Sequence, residues 1–211
     1  MAGLSGQTVS ADVVVAVPKQ STRFSGLTER VNGSWLGGAV ELETGRLRLS
    51  ASGMRGRLTA PDPGTLLTRN VGELVLNGQY RVRPWLGLEL RYAARAFSSA
   101  AGYQRWDLLG VGAAASRDLG TPAVRAFASL LYFPMVSVSH QERPKFALGS
   151  DVGIALAPSK LPLAVSLSYR IERFRFPKAT RSEQFEALTL SLGVRARRHA
   201  GRWNLVGQGS S

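Results

Sequence analysis

The chain has 211 residues, 44% of them hydrophobic and 19% charged, which excludes a disordered protein and is enough for one all-β barrel or sandwich. It has no cysteine, which excludes disulfides and thiolate metal sites, and no run of about 18 apolar residues, which excludes a transmembrane helix. Its 27 basic residues, 23 of them arginine, give a net charge of +13, which fits either a polyanionic partner or the arginine usage of a GC-rich genome.

The chain begins with MAGLSGQTVS, which lacks the basic start and apolar stretch of a signal peptide, so we expect no signal peptide in this chain. The next segment, Thr8–Phe24, is rich in β-branched residues and predicts a strand, with Pro18 at a bulge or an edge. We therefore expect residues 1–33 to form an N-terminal segment that contributes the first strand.

Apolar and polar side chains alternate along most of the remaining chain, which predicts β-strands. In 161–176, for example, Leu163, Val165 and Leu167 alternate with small or polar residues. Segments 106–117 and 124–138 alternate less cleanly. The nine predicted strands are 35–43, 46–54, 73–83, 85–97, 106–117, 124–138, 148–156, 161–176 and 185–196.

Short and long connections follow one another between these segments. Short turns are predicted at 44–45, 83–84, 120–122 and 158–160, and long polar connections at about 60–70, 98–104, 139–145 and 177–184. This order predicts an all-β, up-and-down antiparallel barrel with its short turns at one end. Counting the first strand gives about ten strands, with eight as the alternative. Residues 34–198 would form the barrel and residues 199–211 a C-terminal tail.

The length and composition of the segments favour a membrane-spanning barrel over a soluble one. The alternating runs last about 9 to 13 residues, whereas soluble strands average about 5 to 6 and membrane-spanning strands need about 9 to 11. The polar face combines small residues with isolated opposite charges, which suits a narrow lumen. The predicted lumen charge network is Glu73, Arg81, Glu89, Arg91, Arg95, Asp151, Arg170 and Glu172.

Aromatic residues lie near the ends of the segments, as in the girdles at the two surfaces of a membrane. We therefore expect them on the outside of the barrel. They are Trp35, Trp85, Phe97, Trp106, Phe146, Phe174, Phe176 and Phe185.

From about residue 35 to 198 the chain resembles the small bacterial outer-membrane β-barrel proteins. The segment FEALTLSLGVRA (185–196) is similar to the amphipathic last strand that these proteins use as an assembly signal. The resemblance implies a transmembrane barrel in the bacterial outer membrane, with membrane lipid as its partner, a monomeric state and apolar residues facing lipid.

Candidate chemical sites are few. His140, in SVSHQER beside Ser137 and Ser139, is a candidate catalytic residue of a lipid-modifying enzyme, although a solvated loop histidine fits the same pattern. No metal motif or cofactor motif is present, and we predict no cofactor and no nucleic-acid partner. Basic side chains in two predicted outer loops could bind lipopolysaccharide phosphates or be ordinary solvated charge. They are Arg143, Lys145, Arg173, Arg175, Lys178 and Arg181.

The predicted function is that of an outer-membrane barrel with a polar, charge-filled lumen that acts in envelope structure and anchoring, or in limited passage of small solutes. We expect it not to be an enzyme. Three alternatives remain at this point: a soluble barrel that binds an apolar ligand, an outer-membrane lipid-modifying enzyme, and a basic polyanion-binding β-protein.

Overall fold

A computed structural model of the protein describes residues 7–60, 68–100, 102–139, 141–158, 161–177, 181–199 and 202–205. These residues form eleven strands. They are β1 (Thr8–Phe24), β2 (Leu27–Thr44), β3 (Leu47–Thr59), β4 (Arg69–Arg83), β5 (Leu86–Ser99), β6 (Gly102–Leu119), β7 (Thr121–Val138), β8 (Phe146–Leu156), β9 (Leu163–Arg175), β10 (Arg181–His199) and β11 (Arg202–Leu205).

The first ten strands form a closed antiparallel barrel in up-and-down order, which confirms the predicted fold class and strand count. Each strand pairs with the next along the chain, and β1 pairs with β10 over 17 positions, from Thr8 opposite Arg197 to Phe24 opposite Arg181. The short β11 pairs with the end of β10. Within the described residues, no helix is long and apolar enough to cross a membrane.

The first predicted strand has the observed bounds of β1, and Pro18 lies inside it without a bulge. Ala16 pairs with Trp35 and Lys19 with Asn32 in the same register, so the ladder to β2 only has a gap at the proline. This gap accommodates a residue that has no N–H to donate.

The expectation of a long connection at 98–104 is wrong. Strand β5 continues to Ser99 and β6 begins at Gly102, so only two residues lie between them. Gly102 has a φ of 134°, which favours glycine and permits the tight reversal. Most strands of the barrel are longer than the alternating segments, with 11 residues in β8 and 19 in β10, whereas β9, with 13 residues, is shorter than its segment 161–176.

A register shift explains why the segments that became β6 and β7 alternate poorly. The pairing of β6 with β7 slips between Leu109 and Val111, opposite the stretch of β7 that contains Pro134. Because of this irregularity Phe133 and Val136, three positions apart, are both buried inside the barrel.

The outer surface carries a belt of exposed apolar side chains. Leu167 on β9 and Leu190 on β10 are 50% and 51% exposed, whereas Arg170 and Glu172 on the inner face of β9 are 8% and 1% exposed. Lipid can cover leucines that water would not, and the closed sheet leaves no unpaired edge. This is the arrangement of a membrane-spanning barrel, and a soluble barrel would have the opposite one.

At the end of the barrel that carries the longer connections, the polarity of the two faces is exchanged. On β9 the outward series of apolar residues stops at Ile171 and continues with the exposed Arg173 and Arg175, while the inner face changes from Glu172 to the buried Phe174. Strand β9 therefore continues beyond the apolar belt with an apolar inner face and a charged outer face.

Candidate functional site

The lumen contains a layer of buried ion pairs near its middle. Arg95 on β5 bonds to Glu73 on β4, with Nη2 2.5 Å from Oε1, and to Glu172 on β9, with Nη2 2.9 Å from Oε2. Arg170 donates to the other oxygen of Glu73 at 2.6 Å. The side chain of Glu73 is fully buried and those of Arg95 and Glu172 are 2% and 1% exposed. Two guanidinium groups thus balance two carboxylates across the barrel, so neither sign is left uncompensated.

Further ion pairs line the lumen toward the short-turn end. Arg91 bonds to Asp151 across the barrel at 2.6 Å and to Glu89 on its own strand at 2.8 Å. Nearer the turns, Glu43 accepts hydrogen bonds from Arg48 at 3.1 Å and Arg81 at 2.7 Å. All eight residues of the predicted lumen network therefore lie inside the barrel: seven form the two connected groups of Glu73 and of Arg91, and Arg81 bonds to Glu43 near the turns.

A polar cavity of about 350 Å³ occupies this short-turn half of the lumen. Its walls include both charge signs, with Glu41, Arg48, Arg91 and Arg195 among the lining residues. Glu41 and Arg48 are part of this lining, and Glu43 bonds to Arg48, but none of the three was in the predicted network. Their alternation with Leu42, Leu47 and Leu49 in the sequence was the available signal.

An aromatic layer fills the lumen on the other side of the ion pairs. Trp35 stacks on Phe185 with 5.4 Å between ring centroids, and the guanidinium carbon of Arg95 lies 3.7 Å from the centroid of Phe185. Trp106 contacts Phe174 edge-on at 5.0 Å. The cation–π contact joins the aromatic layer to the charged layer, and the edge-to-face contact lies within the aromatic layer.

This layer corrects the expected aromatic girdle. Six of the eight aromatics expected outside are buried inside the barrel, and only Trp85 and Phe146, at 57% and 43% exposed, lie on the outer surface. The six are Trp35, Phe97, Trp106, Phe174, Phe176 and Phe185. A large ring buried in the lumen removes more apolar area from water than any small residue there could.

A second cavity, of about 450 Å³, lies beyond the aromatic layer at the mouth of the barrel. It is lined by two ion pairs, Glu29 with Arg69 and Glu183 with Arg181, of which only Arg181 was among the residues singled out from the sequence. Glu29 on β2 accepts a hydrogen bond from Arg69 on β4 at 2.6 Å, and Glu183 on β10 accepts one from Gln20 on β1 at 3.1 Å. Glu183 also pairs with Arg181.

The six basic residues predicted to bind anions do not converge on one surface. Arg173 and Arg175 point outward on β9, where Arg173 donates to Gln184 at 3.0 Å, and the backbone N–H of Lys145 donates to the carbonyl of Arg175 at 2.8 Å. Arg143 is exposed in the preceding loop. Arg181 instead points into the mouth and pairs with Glu183. Lys178 lies outside the described residues.

Within the described residues, the serines near the predicted histidine make no hydrogen bond to a histidine or carboxylate side chain. His140 itself lies outside the described residues. Ser137 is exposed, and the hydroxyl of Ser139 accepts the backbone N–H of Arg105 at 2.8 Å. Among the residues that the structure describes, no group of three or more His, Cys, Asp or Glu side chains could hold a metal ion.

Solved structures of bacterial outer-membrane proteins are similar to this chain. The outer membrane protease OmpT from Escherichia coli aligns with a TM-score of 0.56 at 12% identity, over 93% of this chain and 98% of that chain. The translocator domain of the autotransporter NalP from Neisseria meningitidis gives 0.49 at 12% identity, over 90% and 88%. Neisserial surface protein A gives 0.39 at 14% identity, over 91% and 98%.

No protein-family model matches the chain, and no curated protein matches it in sequence. The structural likeness therefore concerns the fold alone, and the alignment with OmpT is the one that supports this fold assignment. That fold is the outer-membrane β-barrel, and the resemblance stated from the sequence is confirmed at this level.

Proposed function

We propose that this protein resides in the bacterial outer membrane as a monomeric, closed barrel that acts in envelope structure and anchoring rather than in solute passage. The observation that carries the proposal is the central filling of the lumen, where the ion pairs of Glu73, Arg95, Arg170 and Glu172 lie directly beneath the aromatic layer. The two lumen cavities lie on opposite sides of this filling. A solute would have to displace fully buried, mutually paired side chains to pass from one to the other.

The outside of the barrel supports the membrane location. Its exposed leucines and valines form the continuous apolar surface that a bilayer covers, and the fold is shared with outer-membrane proteins. Both ends of the barrel chain, Thr8 and Arg197, lie at the short-turn end, as in even-stranded bacterial barrels with both termini on the inner side.

Conductance across a planar lipid bilayer tests the closed lumen. The unaltered protein is expected to insert without steady conductance. The Trp106→Ala, Phe174→Ala variant removes two rings from the filling and should increase the frequency of open events. The matched control is Trp85→Ala, Phe146→Ala, which removes two aromatics from the outer surface and should stay closed.

Steady conductance of the unaltered barrel would overturn the proposal and favour limited solute passage. Equal behaviour of the two double variants would show that the aromatic layer does not close the lumen. Cell fractionation tests the location: recovery of the protein in the soluble fraction without detergent would contradict it.

A further inference from the structure

A groove of about 860 Å³ lies on the outside of the barrel, centred on strands β3, β4 and β5, with residues of β1, β2 and β6 also in its lining. It exists because small residues face outward there: Gly72 on β4 lies opposite Ala96 on β5, and a side-chain carbon added at Gly72 would meet nothing within 4 Å. On the β3 side, Arg55 lies opposite Gly72, and Arg57 lies opposite Asn70. We refer to this feature as the β3–β5 groove.

Within the described residues, the β3–β5 groove carries positive charge that is not paired with a carboxylate. Arg55 and Arg57 are both exposed, and among the described residues neither has a carboxylate partner. Two other exposed arginines toward this end of the barrel are engaged, since Arg105 pairs with Asp107 at 2.9 Å and Arg173 donates to Gln184 at 3.0 Å. None of the described residues that line the groove is Asp or Glu. Its chemistry is therefore that of an anion-binding site beside an apolar floor.

The groove lies at the height where lipid headgroups meet the barrel. On the outer face of β3, Leu47, Leu49, Ala51 and Gly53 precede Arg55. The eight residue-to-residue steps from Leu47 to Arg55 extend about 27 Å along the strand, or about 20 Å along the membrane normal at a strand tilt of about 40°. This is close to the height of about 25 Å for the apolar band of such barrels, so the two arginines emerge at its edge.

We propose that the β3–β5 groove binds one lipopolysaccharide molecule of the outer leaflet. A phosphate of its lipid A would accept hydrogen bonds from Arg55 and Arg57, whose α-carbons are about 7 Å apart on one strand face, and an acyl chain would cover Gly72 and Ala96. The proposal rests on the outer-membrane location proposed above. In this proposal the two exposed arginines of β3 recognise one specific lipid, whereas the basic loops would attract anions in general.

Native mass spectrometry of barrel refolded without lipopolysaccharide and titrated with diphosphorylated lipid A tests the site. The unaltered barrel should retain one lipid A. The Arg55→Gln, Arg57→Gln variant should bind it about tenfold more weakly, because two charge-assisted hydrogen bonds are lost. Gly72→Phe, which fills the groove without removing charge, should also weaken binding. The matched control Arg83→Gln, Arg117→Gln removes two exposed cations from the short-turn end and should bind like the unaltered barrel.

The proposal is overturned if the Arg55, Arg57 variant binds as tightly as the control, or if Gly72→Phe has no effect. Equal retention of dephosphorylated lipid A would exclude phosphate recognition, and equal retention of phosphatidylglycerol would exclude lipopolysaccharide as the specific occupant. The outer-membrane location and the closed lumen are tested separately, the first by cell fractionation and the second by conductance in bilayers that contain no lipid A.

Discussion

Replacing Glu73 by glutamine is expected to destabilise the barrel more than the same carboxylate-to-amide change at an exposed position. In the folded protein the two oxygens of Glu73 accept hydrogen bonds from Arg95 at 2.5 Å and from Arg170 at 2.6 Å, and the side chain is fully buried. Glutamine keeps the shape of the side chain but removes its charge and turns an amide NH2 toward a guanidinium group.

The magnitude follows from the charges that remain. Arg95 retains Glu172 at 2.9 Å, whereas Arg170 is left with Glu172 at 3.9 Å, so two cations share one carboxylate in a site from which water is largely excluded. Removing one partner of a buried ion pair costs about 3–5 kcal/mol. The exposed pair of Asp118 and Arg125, 2.9 Å apart and 46% and 42% exposed, provides the control, for which Asp118→Asn should cost less than about 1 kcal/mol.

The assay is urea unfolding of the barrel in phospholipid vesicles, followed by the mobility of unheated samples on denaturing gels. The free energy of unfolding should fall by about 3–5 kcal/mol in Glu73→Gln and hardly change in Asp118→Asn. A Glu73→Gln barrel as stable as the Asp118→Asn barrel would refute the view that the buried ion pairs depend on each other.

Two further predictions concern the outer belt and the close packing of strands. Leu190, which lies between Val15 on β1 and Leu167 on β9, faces lipid, so Leu190→Arg should lower the free energy of unfolding by about 2–4 kcal/mol, and no loss would contradict a membrane-embedded position. Gly112→Ala should lower the free energy of unfolding by about 1–3 kcal/mol, because its new carbon would lie 1.9 Å from the carbonyl oxygen of Leu130. Gly53→Ala, whose new carbon would meet nothing within 4 Å, should be tolerated. Similar stabilities of the two variants would count against the close approach of β6 and β7.

The direction of each side chain was readable from the sequence wherever the alternation is regular. On β9, Leu163, Val165 and Leu167 occupy one parity and Arg170 and Glu172 the other, and the barrel places the first set outside and the second inside. The partners of the buried charges were not readable. Arg95 and Glu172 are 77 positions apart, and only the closure of the sheet brings them together.

The misplaced aromatics show where the argument from the sequence failed and why. Trp35 has the opposite parity to Leu36, and Phe174 shares the parity of Glu172, so alternation alone already assigned both rings to the lumen. The girdle interpretation used their position near the strand ends and ignored this parity. At the aromatic layer, beyond the apolar belt, the outer face of the barrel is polar and the inner face is apolar. An apolar side chain there lies inside, whereas within the belt it lies outside.

The pairing of β1 with β10 has a consequence for how the barrel is made. The other nine contacts of the barrel join consecutive strands, but this one joins residues such as Val17 and Leu188, which are separated by most of the chain. Bringing such distant segments together costs about 4–5 kcal/mol of chain entropy before any bond forms. The barrel therefore cannot close until β10, its last strand, is available to pair with β1. Until then the exposed edges of the incomplete sheet would need protection from pairing with other chains.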